Sequence, residues 1–166
     1  MKREHIRGLL VRCAAENAIP IINYNDCVSS EENRKWEIAR LHREKGDKVV
    51  ELIDNDETAA QVACLVKSRL LVILTNLDGI YADIKNPDSL IREIGGKDIA
   101  EVLANIDEVK KSCVGASRVG ANGAKAKLEY IKPCVENGTK VIIASSRYDL
   151  SDIVAEKVPC TIVAAR

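Results

Sequence analysis

The sequence predicts an α/β fold in which helices cover a doubly wound, mainly parallel sheet. Apolar runs typical of buried strands alternate along the chain with segments of helical spacing. Phenylalanine is absent and aromatic residues make up 3 % of the chain, so the core is aliphatic. Aliphatic runs suit strands that are buried on both faces. At 166 residues, the chain is long enough for a sizeable core, and we predict a single domain over 1–166.

Composition excludes several classes of function. Charged residues make up 30 % of the chain and balance to a formal net charge of zero, which argues against a nucleic-acid or acidic-membrane partner. No apolar run approaches the roughly 20 residues that span a bilayer, and residues 1–11 lack the apolar region of a signal peptide. The six cysteines have no CxxC spacing. We expect reduced, mostly buried thiols and a soluble protein of the cytoplasm.

The amino-terminal third combines short elements with one polar excursion. Apolar residues at helical spacing predict a helix within residues 2–18, and Ile19–Ile22 then reads as a short strand. Ser29–Lys48 is charge-rich, which indicates a short helix or a mobile excursion. Val49–Ile53 is predicted to be a strand, and Asp56 is a candidate N-cap for a helix that reaches Val66 and is apolar on most of its surface.

The rest of the chain continues the alternation of strand and helix. Leu70–Thr75 is an apolar strand, and the residues around Asn86 and Pro87 form a loop. Gly138 follows the predicted helix Ala121–Asn137 and is expected to terminate it in a left-handed conformation. The remaining predicted elements are helices over Lys97–Asn105, Ala121–Asn137 and Ser151–Glu156, and strands over Lys140–Ala144 and Cys160–Ala164.

Three predicted strands end in clusters of polar residues: Asn23–Asp26, Asp54–Asp56 and Thr75–Asp78. Because parallel strands end at one edge of a sheet, the three clusters are expected to converge on one site. Asp and Asn oxygens suit Mg²⁺ or its waters, and Asn also donates to phosphate. The alternative is that each cluster only caps a helix or forms an Asx turn.

The segment GANGAKAK, residues 120–127, has the composition of a phosphate-binding loop. Gly120 and Gly123 let the backbone approach a phosphate, and Lys125 or Lys127 could neutralise its charge. The start of a helix also attracts anions through its free amides and dipole. The segment does not match the GxxxxGK[ST] pattern. A glycine-containing turn that opens a lysine-bearing helix is the alternative.

Five segments resemble the amino-acid kinase family, and in particular its glutamate 5-kinase members. They occur in the family's order and approximate spacing, and the likeness covers nearly the whole chain outside the Ser29–Lys48 excursion. Together they are far more specific than any one alone. The segments are PIINYNDCV at 20–28, DNDETAAQVA at 54–63, LLVILTNLDGIY at 70–81, GANGAKAKL at 120–128 and GTKVIIASS at 138–146.

The resemblance implies a three-layer αβα sandwich that binds ATP with Mg²⁺ and phosphorylates the side-chain carboxylate of glutamate. Lys127 falls on the family's lysine at the end of a GTGGMxTK pattern and would stabilise charge on the transferred phosphoryl group, and Asp56 would lie near the metal or organise the lysines. The other implied roles are substrate binding by Asn25, Asp26 and Asn55, and nucleotide binding by Thr75, Asn76, Asp78, Gly120, Gly123 and Lys125.

The chain departs from the family pattern in its phosphate loop and in two strand-end clusters. Ala121, Asn122, Ala124 and Ala126 stand where the family has Thr, Gly, Met and Thr, so hydroxyl donors are lost. In the clusters, Asn76 replaces a usual Asp and Tyr24 a usual Glu. Family members also have some 100 further amino-terminal residues, which carry a lysine and a glycine pair that clamp the transferred phosphate.

The resemblance thus covers the nucleotide-binding carboxyl half of a kinase, without the amino-terminal strands and without a fused nucleic-acid-modification domain. A sheet without its first strands would expose an apolar edge, so we expect a homo-oligomer or a separate amino-terminal kinase half as partner. Two alternatives stay open: a non-catalytic or split-kinase module that binds nucleotide or a partner chain, and another small-molecule kinase of the family.

Overall fold

A computed structural model describes residues 2–22, 55–113 and 123–165. The chain divides into two compact units, Met1–Thr58 and Ala59–Arg166. The predicted strand Val49–Ile53 and the polar excursion Ser29–Lys48 lie outside the described residues.

The first unit contains helix α1, Lys2–Ala15, and an irregular segment that follows it. The prediction that Ile19–Ile22 forms a strand is wrong: these residues are irregular, and the side chains of Ile19 and Ile21 are 90 % and 93 % exposed. A strand needs a neighbour that satisfies its backbone N–H and C=O groups. Among the described residues, no strand pairs with this segment.

Helix α2, Asn55–Val66, begins two residues before Glu57, which would be its first residue if Asp56 were the N-cap. Asp56 lies in the first turn and is not the N-cap, which corrects that prediction. The acidic side chains of Asp56 and Glu57 still suit this end of the helix, because the amino terminus carries the positive end of the helix dipole. Ala60 and Ala63 are the buried residues of α2, and the helix is otherwise only partly covered.

A four-stranded mixed sheet forms the centre of the second unit. Its strands are β1 (Leu70–Thr75), β4 (Glu93–Gly96), β5 (Lys140–Ser145) and β6 (Cys160–Ala165), in the order β1-β5-β6-β4. β1 pairs with β5 and β4 with β6 in parallel, whereas β5 and β6 are antiparallel. The expectation of a mainly parallel α/β sheet is confirmed, with one antiparallel pair at its centre.

The connection between β5 and β6 contains only one short helix, α5, Leu150–Val154. A parallel crossover must carry the chain back along the full strand, which for the six residues of β5 is roughly 20 Å. The five residues of α5 span only about 7.5 Å. The chain instead returns beside the end of β5, where Cys160 lies opposite Ala144.

Two longer helices connect the outer and inner strands. Helix α3, Ile99–Ser112, continues past the predicted end at Asn105, because Ile106 and Val109 extend its apolar face. The Asp98 side chain caps it by accepting a bond from the Glu101 N–H. Helix α4 is Gly123–Glu136, and Gly138 follows it with a φ of +77°, which confirms the predicted left-handed termination.

A small hairpin between β1 and β4 was missed by the sequence analysis, which predicted a loop there. β2 (Ile80–Tyr81) pairs antiparallel with β3 (Leu90–Ile91), and a 3₁₀ turn, Pro87–Ser89, precedes β3. Each strand contributes only two residues, too few for the alternation of polar and apolar residues that reveals longer strands.

Helices cover both faces of the sheet, as the αβα prediction requires. On one face, residues of α2, α3 and α4 pack against the inward side chains of the strands, among them Ile73, Ile143 and Val163. On the other face, Ile153 of α5 packs against Ile142. In β1, Leu71 and Ile73 are buried in the larger core, whereas Leu70 and Val72 pack against the smaller cluster on the other face, which is the alternation expected of a strand between two layers.

The cysteines of the described segments are all free, as predicted. Cys113, Cys134 and Cys160 are buried, and Cys13 and Cys64 are partly buried. None of the helices given above is long and apolar enough to cross a membrane.

Candidate functional site

The carboxyl ends of β1 and β5 form one polar edge of the sheet. Thr75 and Ser145 are the last residues of these parallel strands and lie opposite each other in register. The Ser146 N–H donates to the Thr75 carbonyl at 2.8 Å, so the two loops leave the sheet side by side. We call Thr75–Asp78 together with Ser145–Tyr148 the polar edge. It is the edge at which parallel α/β sheets bind ligands.

The loop after β1 is held against β6 by a buried hydroxyl. Thr161 Oγ1 accepts a hydrogen bond from the Ile80 N–H at 2.8 Å and donates to the Ile91 carbonyl at 2.6 Å. Gly79 permits this approach, because a Cβ built on it would lie 2.4 Å from Thr161 Oγ1. The backbone of the DGIY segment therefore has little freedom. Nearer the strand, Thr75 Oγ1 donates to Asn76 Oδ1 at 3.3 Å.

An arginine that the sequence analysis missed joins the two halves of the polar edge. Arg147 Nη2 lies 2.7 Å from both carboxylate oxygens of Asp78 and 2.6 Å from the Tyr148 hydroxyl. The hydrogen bond to Tyr148 is the main cause that raises the pKa of Arg147. Burial raises the pKa of Tyr81, and the neighbouring Asp78 charge adds to that effect. Arg147 could have been found by the pattern that identified the end of β1, because it too belongs to a polar segment that directly follows an apolar strand.

The loop after β1 and the start of α4 are each near Cys113. Gly123 is the first residue of α4 and has a φ of +55°, a conformation that favours glycine. Cys113, at the end of α3, is next to both features: its Sγ donates to the Tyr81 carbonyl at 3.6 Å. Burial raises the pKa of this thiol, and the nearby positive charge of Lys125 partly offsets the rise. Lys125 is exposed and Lys127 is partly buried.

The remaining predicted site residues belong to the first unit or lie outside the described residues. Asn55 and Asp56 form the first turn of α2. Asn25, Asp26 and Gly120 lie outside the described residues. The convergence of three strand-end clusters on one site therefore stays a prediction, and only the cluster after β1 can be placed.

The opposite edge of the sheet, where β4 ends, is built differently. The carboxyl end of β4 points away from the polar edge, because β4 and β6 run antiparallel to β1 and β5. Glycines occupy this end: a Cβ on Gly96 would lie 2.7 Å from the Val102 N–H nitrogen. An open cavity of about 360 Å³ lies beside them, lined by Glu93, Gly95, Gly96, Lys97 and Glu101. Its two carboxylates do not favour an anionic ligand such as a nucleotide.

Comparison with known proteins identifies the family of the chain. Residues 1–145 match the family model described as the amino acid kinase family. The chain belongs to the amino acid kinase family.

Two of its curated relatives within this family are glutamate 5-kinases. The one from Rhodopseudomonas palustris (strain BisB5) is 30 % identical over 159 residues, which cover 93 % of this chain and 36 % of that protein. The one from Streptococcus suis (strain 05ZYH33) is 33 % identical over 135 residues, which cover 81 % of this chain and 32 % of that protein. The chain thus spans about a third of the length of these relatives.

A solved member of this fold is the carbamate kinase of Giardia lamblia bound to AMP-PNP. It superimposes with a TM-score of 0.51 and 23 % sequence identity, over 72 % of this chain and 36 % of that one. This likeness supports the amino acid kinase fold and the α/β arrangement described above.

The described residues of this family member do not form a metal site of their own. Within 2–22, 55–113 and 123–165, no group of three or more His, Cys, Asp and Glu residues is placed to hold a metal ion. The one carboxylate of the polar edge, Asp78, is paired with Arg147 through both oxygens. These donors therefore do not fit a protein-held Mg²⁺ in this part of the chain. Mg²⁺ often binds mainly to substrate phosphates and waters, and it could enter in that form.

Proposed function

We propose that this chain forms the nucleotide side of a carboxylate kinase, with ATP as the phosphoryl donor and the side-chain carboxylate of glutamate as the acceptor. Membership of the amino acid kinase family and the glutamate 5-kinase relatives support a carboxylate-directed kinase. Because the chain spans only about a third of these relatives, both the nucleotide and the acceptor are part of the proposal.

The observation that carries the proposal is the closeness of the α4 amino terminus to the loop after β1. Cys113 contacts the Tyr81 carbonyl and lies within the electrostatic influence of Lys125. In the proposal, the polar groups at the ends of the parallel strands face this helix start, which carries Lys125 and Lys127. Free amides, the helix dipole and lysine charge all favour a polyphosphate at this position.

In the proposed reaction, a carboxylate oxygen of glutamate attacks the γ-phosphorus of ATP. The new bond joins that oxygen to phosphorus, and the bond from phosphorus to the β–γ bridging oxygen breaks, so that ADP leaves. Lys127 and Lys125 stabilise the negative charge of the transferring group, which is the main contribution a protein makes to phosphoryl transfer. Mg²⁺ enters with ATP as part of the substrate.

The other predicted residues take supporting roles in the proposal. Thr75 and Asn76 contact the nucleotide from the end of β1, while Asp78 acts through its pair with Arg147 by fixing the loop. Asp56 organises the lysines. Gly120 and Gly123 let the phosphate loop approach its ligand, and the substrate contacts are Asn25, Asp26 and Asn55.

Titration of the purified chain with ATP and Mg²⁺ in a calorimeter tests the nucleotide half of this proposal. We expect saturable heat and an upward shift of the melting temperature, since a ligand that binds only the folded state stabilises it. The absence of both at millimolar nucleotide would overturn the proposal. A coupled assay of ADP release, with and without glutamate, tests the transfer half.

A second candidate is a non-catalytic module that binds nucleotide or a partner chain. The observation that favours it is the lack of a metal-holding cluster in the described residues, together with a phosphate loop without hydroxyl side chains. In this reading the chain is a homo-oligomer or is completed by a separate amino-terminal kinase half. Light scattering beside the ADP-release assay separates the two candidates: an isolated monomer with glutamate-dependent turnover excludes the second. A screen of other acceptors would identify a different small-molecule kinase.

A further inference from the structure

Two cysteines from separate helices meet in the core of the second unit. Cys64 is in the last turn of α2 and Cys134 in the last turn of α4, 70 residues apart in sequence. Their Sγ atoms are 3.5 Å apart. Of the cysteines within 2–22, 55–113 and 123–165, these are the two whose sulfur atoms are in hydrogen-bond contact.

The close approach of the two helices follows from small side chains. Ala60 and Ala63 are the residues of α2 buried in this region, and each leaves room for α4 to pack closely. Cys134 is fully buried and donates its S–H to the Ala60 carbonyl at 3.3 Å. The Cys134 proton is thus turned toward Ala60, which leaves the sulfur lone pairs free to face Cys64. Cys64 itself is only partly buried.

We propose that Cys64 and Cys134 form an oxidisable dithiol that closes to an intrachain disulfide when a small two-electron oxidant, such as hydrogen peroxide, reaches Cys64. The sulfur atoms must move together by about 1.5 Å to reach the length of a disulfide bond. This inference does not rest on the proposed kinase function.

Because Cys64 is more exposed than Cys134, it is the first of the two thiols to react with the oxidant. Burial raises the pKa of Cys134 to about 12, and its hydrogen bond with Cys64 and the Cys64 charge add to the rise, so Cys134 stays a thiol. The accessible Cys64 reacts first. Its thiolate attacks peroxide, an S–O bond forms, the O–O bond breaks, and the released hydroxide takes a proton to become water.

In the second step, Cys134 loses its proton and its sulfur attacks the sulfur of the Cys64 sulfenic acid. The S–S bond forms, the S–O bond breaks, and hydroxide leaves with that proton as a second water. Overall, two thiols are oxidised to one disulfide and one peroxide is reduced to two waters.

The disulfide lies away from the polar edge. Cys134 is 11 residues beyond Gly123, about 16 Å along α4, so the cross-link does not touch the proposed phosphate site. It joins the carboxyl-terminal ends of two helices and closes a long loop, which restricts the unfolded chain. Oxidation should therefore stabilise the folded chain and leave its nucleotide binding intact.

Peptide mapping of the folded full chain after graded peroxide treatment tests the proposal. Free thiols are alkylated, and the chain is digested with trypsin without reduction. We expect a disulfide between the peptides 49–67 and 128–140, which carry Cys64 and Cys134, and its loss after treatment with dithiothreitol. The melting temperature should rise by about 5–15 °C on oxidation and return on reduction.

Matched variants complete the experiment. C64S should abolish both the linked peptide and the rise in melting temperature, whereas C160S, which removes another buried thiol, should retain both. Should C134S fail to fold, the wild-type peptide map and C64S still decide. Alkylation of both cysteines after peroxide, overoxidation of Cys64 without a link, or a link from either cysteine to a different thiol would each overturn the proposal.

Discussion

The two edges of the sheet differ in what occupies the ends of their parallel strands. At the polar edge, β1 and β5 end in Thr75 and Ser145, and an arginine–aspartate pair joins the loops that follow. At the opposite edge, β4 ends in Gly95 and Gly96, and Gly96 packs against the start of α3. β4 leads into α3, and Lys97 lies just before the start of that helix. The carboxyl end of a strand therefore marks a candidate site only where polar side chains and a second loop meet.

The largest effect is expected on turnover, and it should distinguish Lys127 of α4 from Lys97 at the opposite edge. Replacing Lys127 by Ala should lower kcat for ADP release about 100–1000-fold, because a charge that faces the transferring phosphoryl group is lost. Lys97→Ala is the matched control, since Lys97 precedes α3 at the opposite edge, and its turnover should equal that of the wild type. Equal losses in both variants would remove the distinction between the edges. Circular dichroism spectra check that both variants are folded.

Replacing a glycine should lower the stability of the chain at either edge, but it should weaken ligand binding only at the polar edge. Gly79→Ala and Gly96→Ala each place a Cβ within 3 Å of neighbouring atoms and should lower the free energy of unfolding by about 1–3 kcal/mol. Gly8→Ala is the control, because nothing lies within 4 Å of its Cβ and alanine favours the helix. Urea unfolding measures the three values. Of the two destabilised variants, Gly79→Ala alone should also weaken ATP binding at a temperature where both are folded.

The Arg147–Asp78 pair gives a smaller effect on the polar edge itself. Arg147→Ala should raise KM for ATP about threefold to tenfold and change kcat less, because the pair fixes the loop without contacting the reacting atoms. Arg147→Lys should restore part of the loss. Arg69→Ala, an exposed arginine before β1, serves as the control at the other end of that strand. Steady-state kinetics with varied ATP measure KM, and an unchanged value for Arg147→Ala would show that the pair does not position the loop.

The smallest effect concerns the ion pairs between α3 and α4, which lie between the two edges. Glu129 accepts hydrogen bonds from Lys110 and Lys132, and these bonds lower its pKa below the usual 4.5. Since the folded pKa lies below the unfolded one, this stabilisation is complete above about pH 4.5 and is lost as the pH falls through the folded pKa. The urea midpoint of the wild type should therefore drop between pH 7 and pH 3 by roughly 0.1–0.3 M more than that of Glu129→Gln.

Glu136→Gln is the control for this measurement, because Glu136 is an exposed residue of the same helix. It should follow the wild type at both pH values. ATP binding at pH 7 should be the same in all three proteins. An equal drop in the wild type and Glu129→Gln would mean that solvent screens the pair completely.

Local sequence patterns predicted most of the second unit. The apolar runs at Leu70–Thr75, Lys140–Ser145 and Cys160–Ala165 are strands, and Gly138 has the left-handed conformation that its place after α4 required. These features depend on side chains that are neighbours in sequence. The strand predicted at Ile19–Ile22 was wrong, because strand formation also depends on a partner that the local sequence does not supply.

The candidate site was predicted only in part. Thr75 and Asn76 could be selected from the end of an apolar run, and Gly123 and Lys125 from the glycine-rich segment. Cys113 links the two segments, because it contacts the Tyr81 carbonyl and lies near Lys125, and no motif included it. Arg147 was overlooked because its partner, Asp78, is 69 residues away in sequence.

By itself, the sequence determined the α/β class, the aliphatic core, the family and the positions of most helices and strands, because each follows from local spacing or from ordered motifs. The tertiary structure decided the direction of β6, the two unlike edges, the Arg147–Asp78 pair and the contact between Cys64 and Cys134. Each of these depends on how distant segments pack in three dimensions. The direction of β6, for example, is seen only once it is paired with β5 and β4.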